Sequence, residues 1–575
     1  MQAINALCRV SNMDIKAYKS NFDDLRKERG NWDNLYQVLG EFVSQVKQNF
    51  TNSPSSGEFL VGDIYDSTGS FAAYNSASAL LGMLWPSTAK QAVEITVPDD
   101  MEMSTELAAW YDKVTERTVK ALDDSNANLS LSLDEYMLDQ IIFGTSGIGV
   151  ERGDESKLLF KPYGVKELYI DEGKNGRVDS IYLFFEWTIK RLVKEYGIEN
   201  VSEKAAKLYN SGKHGEKTKV LICIHDRVEP KAEKGVLAMP FESIHIEYDN
   251  NHMLRESGFG ELPIKVGRFR KLNYERYGRS PAMQALPDIR EANVLRESII
   301  VATEKNLDMP KGVMGDGVLG GGVIDTTSGA ITVFNASQVL GNQPPIFEIG
   351  QRPDVSAALS RLEDLKNTIA QHFSLDRLID FNNDTQMTFG EAQIRSQIRN
   401  ASLSSLFSRQ IAEVLTPLLS RSISLLMEDG EFGVVKGSDQ EAEFRRLGKK
   451  VEYIPDEIAA RIQDGEDIYQ ITYKTQAAAA SRAEEYMSII DVLGFAIQSM
   501  QVDPSIRHRV DLHKGVSEIA NIRSLPVGII RQDDEVEERM KAEQEKMAAQ
   551  QTLEAGVQAA GIVDSLASAN KAARV

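Results

Sequence analysis

Seven histidines, at positions 214, 225, 245, 252, 372, 508 and 513, are the side chains best suited to acid–base or metal chemistry in this chain. No two have the His-Glu-x-x-His spacing that places two imidazoles one helical turn apart on a zinc ion. Cys8 and Cys223 are too few for a thiolate metal site or a disulfide framework. Gly278-Arg-Ser-Pro-Ala282 has the outline of a nucleophile elbow, but Pro281 has no N–H to offer an oxyanion. Gly315-Asp-Gly-Val-Leu-Gly320 satisfies the dinucleotide fingerprint letter by letter; that fold requires a helix next, and Gly321-Gly-Val-Ile-Asp325 follows instead. The glycines of Phe143-Gly-Thr-Ser-Gly-Ile-Gly149 lack the Gly-Lys-Ser/Thr ending of a phosphate loop. With 85 Asp and Glu, two carboxylates falling close together carries little meaning. The reading is no enzyme: no catalytic, metal or cofactor residue is assigned.

The element around which the chain is organised is a helix. Ser280 is suited to an N-cap and Pro281 to the first helical position, where its missing N–H costs nothing. Ala282, Ala285, Ile289, Ala292, Arg296, Ile299 and Thr303 then recur at helical spacing toward Pro310, a rod of about 25 residues and roughly 38 Å. A second rod follows Pro353, with Val355, Ala358, Leu359, Leu362, Leu365, Lys366, Ile369, His372 and Phe373 in a 3-4 repeat. His372 is read as packing. The two stripes are narrow, and the expectation is that they pack between copies of the chain through Ala285, Ile289, Ala292, Leu359, Leu362 and Ile369. Between the rods, residues 309–353 are rich in glycine, with short β-branched runs such as Ala330-Ile-Thr-Val-Phe334.

Composition sets wider bounds. The 575 residues, 42% hydrophobic and 26% charged, suit several soluble globular domains. No apolar run approaches the ~20 residues of a membrane span, and no secretory leader is visible after Met1. A net charge of −20 argues against tight adhesion to a nucleic acid backbone, yet suits a surface past which a polyanion slides.

Along the chain, residues 20–50 read as helix through Trp32, Leu35, Tyr36, Leu39, Phe42, Val43 and Val46. An Ala- and Ser-rich helix follows Tyr65-Asp-Ser-Thr-Gly69 and runs to Leu84-Trp-Pro86. Ser132-Leu-Asp-Glu135 predicts a capping box opening a helix that ends at Phe143, with a strand resuming over 149–151. Strands are predicted at 158–160, 167–170, 178–185, 220–225 and 244–248, with a tight turn at Asn175-Gly176 and a helix over 188–196. Asp376 to Met387 is a polar loop; Thr388-Phe-Gly-Glu391 predicts a second capping box and a helix to about Met427, kinked at Pro417. Residues 434–473 return to strands and short helices. The remainder is helical, and its acidic, Ala- and Gln-rich tail from Asp533 is either a crown of helices or partly disordered.

Taken together, Tyr-Gly-Arg-Ser-Pro-Ala282 with Ala285-Leu-Pro-Asp-Ile289, Asp66 to Pro86, the Phe143-Gly-Thr turn, Tyr169 to Asp179, Thr188 to Gly197, Thr388 to Arg395 and Leu525 to Val536 resemble the portal (head-to-tail connector) proteins of short-tailed, podovirus-type bacteriophages. The resemblance runs in order from about Trp32 to Val536. It implies an α+β, mostly helical portal fold with wing, stem, clip and crown, assembled as a ring. The implied divisions are N-terminal helices and α/β wing over 1–276, first stem helix over 277–308, clip over 309–353 and second stem helix over 354–375. A channel loop over 376–388, a long kinked helix with the rest of the wing over 389–476, and a helical crown with tail over 477–575 complete them. It further implies a homo-oligomer, a dodecamer, at one capsid vertex of the virion, built in the host cytoplasm. Double-stranded DNA would pass through it in packaging, retention and ejection without sequence-specific binding. The major capsid protein would hold the ring; the terminase large subunit, then tail adaptor and nozzle proteins, would dock on it. Asp376, Arg377, Asp380, Asn382, Asn383 and Asp384 would line the channel loop, and Gly315, Asp316, Gly317 and Gly320 would serve docking. The competing reading is another ring-forming tail or adaptor protein of a virion.

Overall fold

The computed structural model describes residues 12–45, 50–51, 63–86, 93–98, 100–101, 104–227, 232, 235–315, 324–335, 346–374, 406–448, 451–473, 483–500, 515–516 and 519. The chain divides into two units, residues 1–481 and 482–575. In the first, α1 (Asn12–Glu28) and α2 (Gly30–Leu39) lead into a π-turn at Gly40–Ser44, followed by α3 (Thr68–Leu84), β1 (Val93–Thr96), α4 (Thr105–Leu122) and α5 (Leu129–Phe143). A run of short elements comes next: β2 (Thr145–Glu151), β3 (Leu159–Tyr163), β4 (Leu168–Glu172), β5 (Val178–Thr188), α6 (Ile189–Tyr196), α7 (Glu203–Asn210), β6 (Lys217–Asp226), β7 (Phe241–Glu247), β8 (His252–Phe259) and β9 (Ile264–Arg268). The long α8 (Pro281–Leu307), β10 (Lys311–Gly315), β11 (Ile331–Asn335), β12 (Ile346–Glu348) and α9 (Ser356–His372) follow. After residue 405 come α10 (Thr416–Glu428), α11 (Asp439–Arg446), α12 (Asp456–Asp464) and β13 (Gln470–Tyr473). In the second unit the principal described element is α13 (Ala483–Met500).

Strands β4 to β8 form an antiparallel meander, each hydrogen-bonded to its sequence neighbour. Its alternation explains what covers it. Tyr182, Leu221, Cys223, Ile244 and Ile246 face α1, which contributes Ile15, Phe22 and Leu25. Residues of the other parity, Ile181, Leu183, Val220, Ile222 and Ile224, join the main core with Ile189 and Leu192 of α6 and Ala205 of α7. A smaller sheet, ordered β3-β2-β9, and the antiparallel pair β1-β13 complete the sheets of this part. The pair β1-β13 joins Val93 to Tyr473 across most of the chain, so residues 470–473 extend β1 and not the large sheet.

Three local expectations are corrected. Ser132 lies inside α5: its hydroxyl donates to the Phe160 carbonyl at 3.1 Å, and the residue that precedes the helix is Asn128, in the left-handed region at φ 59°. The capping-box letters therefore serve a tertiary contact. The strand after Phe143 starts at Thr145, earlier than its glycines suggested, because they sit under Tyr163 and Ile264 of the two flanking strands. The disturbance expected at Pro417 takes the form of a π-turn over Ile411–Leu415 just before it. Proline removes a donor and crowds the carbonyl four residues back, and a widened turn accommodates both.

His245, on the side of the large sheet facing α6, is enclosed: Nδ1 lies 2.7 Å from Tyr196 Oη and Nε2 3.1 Å from Ser243 Oγ. Burial, with help from the nearby Arg255 cation, holds the imidazole down at about 3. The unfolded chain takes up this proton near the ordinary histidine value while the fold does not, so this group's contribution to stability is complete above about pH 6.5 and falls as pH drops toward 3. Between pH 7 and pH 5 that amounts to about 2 kcal/mol. His245→Gln is expected to lose less stability than the wild type over this interval in melts at the two pH values; parallel losses would refute the assignment.

Candidate docking and assembly site

Each residue at the start of α8 has a separate task. Ser280 Oγ accepts from Met283 N at 3.0 Å and donates to the Ile142 carbonyl at 2.8 Å, capping one helix while tying it to the end of α5. Pro281 occupies the first turn. Gly278 N donates to Thr145 Oγ1 at 2.8 Å, and Gly278 and Gly144 approach so closely that an added Cβ on either would overlap the other's carbonyl oxygen. Gly144 also has φ +81°, a conformation that side-chain-bearing residues rarely adopt. Arg279 stacks over Trp32 at 4.6 Å. Two of the blocks singled out in the sequence thus form one joint.

The third block is fastened to the same helix. Asn293 Oδ1 accepts from Tyr65 N at 2.7 Å and Asp66 N at 3.2 Å, and its Nδ2 donates to the Asp63 carbonyl at 3.1 Å. Asp66 Oδ1 accepts from Thr68 N at 2.9 Å and so starts α3. Gly69 is needed one turn further on, where a Cβ would stand 2.8 Å from Ile289 Cδ1. Sequence reasoning did not single out Asn293, which is buried; a polar amide next to Ala292 of the apolar stripe is the available signal.

Helix α8 has 27 residues, about 40 Å. It forms a hairpin with α9, whose polar ties fix the direction: His372 Nε2 lies 3.1 Å from Asp288 Oδ2 near one end, and Asn306 Nδ2 donates to the Pro353 carbonyl at 3.0 Å near the other. Arg361 pairs with Glu291 at 2.9 Å between them. His372, read as packing, is therefore a polar link between the rods.

The expectation that the small-residue stripes pack between copies is corrected. Ala285, Ile289, Ala292, Leu362 and Ile369 are all buried within this one chain. Helices α3 and α5 pack on α8, and α3 also packs on α9, its Ser76 hydroxyl donating to the Phe373 carbonyl at 3.0 Å. Of the six residues only Leu359 is open, at 46% exposure. The apolar side chains that α8 does leave outside are Val294, Ile300, Val301 and Leu307, the last at 84%. They lie off the stripe that periodicity picks out, and no spacing rule marks them.

At the far end of the hairpin, β10 pairs in parallel with β11 and antiparallel with β12. Register places Val313, Ile331, Val333 and Ile346 on one face, of which the last three are exposed. On the other face Phe334 and Phe347 meet with centroids 5.6 Å apart over Gly312, whose missing side chain leaves room for the Phe347 ring. Ser328 Oγ donates to the carbonyls of Glu304 and Asp308, each at 3.0 Å, closing the end of α8. Asp325 forms a turn through Thr327 N at 2.9 Å, and that hydrogen bond with the Thr327 hydroxyl holds its carboxyl below the usual range. Gly315 ends β10, and a turn, not the helix of a dinucleotide fold, occupies the described stretch 324–330. Asp316, Gly317 and Gly320 lie outside the described residues, as do the loop residues Asp376, Arg377, Asp380, Asn382, Asn383 and Asp384 and the second capping box at Thr388.

Among the described residues, no three His, Cys, Asp or Glu side chains gather as metal ligands, and no helix is long and apolar enough to cross a membrane. The fold is mixed α/β, and its long antiparallel hairpin, tipped by a small sheet, leaves apolar side chains open along both.

Comparison with known families gives the class: a family model described as bacteriophage head to tail connecting protein matches residues 15–530, and the chain belongs to this family. It is 22% identical over 540 residues to the portal protein of Salmonella phage epsilon15, spanning 91% of each chain. It is 24% identical over 425 residues to the probable portal protein of Bordetella phage BPP-1, spanning 72% of this chain and 74% of that one. The resemblance drawn from the sequence motifs holds over nearly the whole chain.

Proposed function

We propose that twelve copies of this chain form a ring at one capsid vertex, with a central channel through which double-stranded DNA is packaged, retained and later released. In this reading α8 and α9 are the stem, β10–β12 the clip, the large sheet with its helices the wing, and residues 376–388 the channel loop. The terminase large subunit and then tail adaptor and nozzle proteins dock at the clip, and the wing meets the major capsid protein. The reading rests chiefly on the apolar side chains of the hairpin and its sheet that a single chain leaves uncovered, among them Val294, Val301, Leu307, Leu359, Ile331 and Ile346. Apolar side chains left open along the hairpin and its sheet suit an interaction face. Family membership supplies the head-to-tail junction of the virion as its place. The net charge of −20 supports a channel that repels its cargo.

One comparison tests the division of labour. Wild-type protein in negative stain is expected to show rings with a central hole, and deletion of residues 316–323 to leave those rings intact while weakening capture of terminase by about tenfold or more, the loss of about 1.4 kcal/mol of contact. Absence of rings in the wild type would refute the assembly. Loss of rings in the deletion alone would show instead that the segment between β10 and β11 builds the oligomer.

A further inference from the structure

The outer layer of the large sheet carries a charge opposite to that of the chain. Between residues 189 and 219 there are eight Lys and Arg against four Glu, in a protein whose overall charge is −20. The fold sets these cations on one side. Helix α6 turns Ile189, Leu192 and Tyr196 into the core, which leaves Lys190, Arg191 and Lys194 outside. Helix α7 buries Ala205 and exposes Lys204 and Lys207. Lys204, Lys207, Leu208, Ser211 and Lys213 line a shallow groove along α7, with Glu203 at its rim.

Several charges in this region are already answered. Lys217 pairs with Glu186 at 3.0 Å, Glu195 lies 3.7 Å from Arg255, and Arg191 rests over the Trp187 ring at 4.3 Å. Lys207 and Glu203 stand 3.9 Å apart with both side chains in solvent, which is worth little. Among the described residues, Lys190, Lys194, Lys204 and Lys213 are exposed and close no ion pair of the kind that Lys217 makes with Glu186. A cluster of exposed cations on an acidic molecule raises the local concentration of negative ligands and orients their approach.

We propose that the α6–α7 face is a docking surface for an acidic segment of a partner protein. The detail favours a peptide over a nucleic acid. Exposed Glu199, Glu203 and Glu216 are interspersed among the lysines, and a phosphate chain with a charge at every step would meet them. Discrete carboxylates on a protein can avoid them. Nor is there a stacking platform: Tyr196 is buried, and Tyr209 is engaged edge-on by His214 at 4.7 Å. Leu208 gives the groove an apolar wall of side-chain size.

The test uses the full assembled protein with labelled poly-L-glutamate and a short DNA duplex as probes at physiological salt. Wild type is expected to bind polyglutamate, and Lys204→Gln/Lys207→Gln/Lys213→Gln to weaken it by about tenfold. Lys16→Gln/Lys27→Gln, which removes two exposed lysines of α1, should leave it unchanged. Undetectable polyglutamate binding by the wild type, or an equal loss in the α1 control, would overturn the proposal. So would duplex DNA binding as tightly as polyglutamate and responding to the same triple variant, which would make the face a nucleic-acid surface. A changed particle mass in the triple variant would assign the face to a second copy of this chain and overturn it too.

Discussion

Gly144→Ala is expected to remove most soluble, folded protein. Two independent penalties meet at this position. The φ of +81° costs a side-chain-bearing residue about 1–3 kcal/mol. The new methyl group would also overlap the Gly278 carbonyl oxygen, which cannot give way because Gly278 N is held by Thr145 Oγ1 at 2.8 Å and Ser280 by the Ile142 carbonyl at 2.8 Å. Together they should exceed about 4 kcal/mol, a large share of a domain's net stability. Gly212 provides the matched control: its φ is +78°, but nothing lies within 4 Å of its Cβ position. Gly212→Ala should therefore show the backbone penalty alone. Soluble yield and melting temperature decide the matter, and a Gly144→Ala protein melting close to Gly212→Ala would show that the joint between α5 and α8 can relax.

Arg268→Ala should produce the other large effect, about 3–5 kcal/mol, since removing one member of a buried ionic cluster strands the rest. The Arg268 side chain is 2% exposed and pairs with Glu172, donates to the Gly176 carbonyl at 3.0 Å and reaches Glu413 at 3.3 Å. Lys271 supports the same Glu172 at 2.8 Å. The cluster binds the end of β9 to the β4–β5 turn and to the π-turn before α10. Glu413 also accepts from Arg268 N at 3.3 Å, so Glu413→Gln keeps an acceptor there and should cost much less than Arg268→Ala. The ranking is read by denaturant unfolding of the two variants. Equal losses would locate the effect in the π-turn itself and not in stranded charge.

Local chemistry was legible wherever one residue's own conformational preference decides the outcome. Ser280 and Pro281 opened α8 as their capping preferences require, Asn175-Gly176 turned between β4 and β5, and Thr68 to Leu84 formed a helix thin enough for close packing. The family was legible for a related reason. The blocks that carried the resemblance, Tyr65–Gly69, Phe143–Thr145 and Tyr277–Pro281, each meet a backbone requirement here, with a glycine or a cap, and such a requirement shows in the residue types themselves.

What the tertiary structure decided is which partner each surface found. Periodicity marks a helix's apolar stripe without saying what covers it, so Ala285, Ile289 and Ala292 read equally well as contacts between copies and as contacts with α3 and α5. The fold chose the second, and left Val294, Val301 and Leu307 outside. Ser132 had the letters of a cap and became a donor to Phe160 because β3 lies against α5. Strand β13 found β1 across most of the chain, a pairing that no local pattern encodes. The buried ionic cluster at Arg268 draws on residues 172, 176, 268, 271 and 413, and the cation face of α6 and α7 exists only because the sheet takes their apolar sides. Propensity acts over a few residues. Burial and charge compensation act over distances in space that sequence separation does not measure.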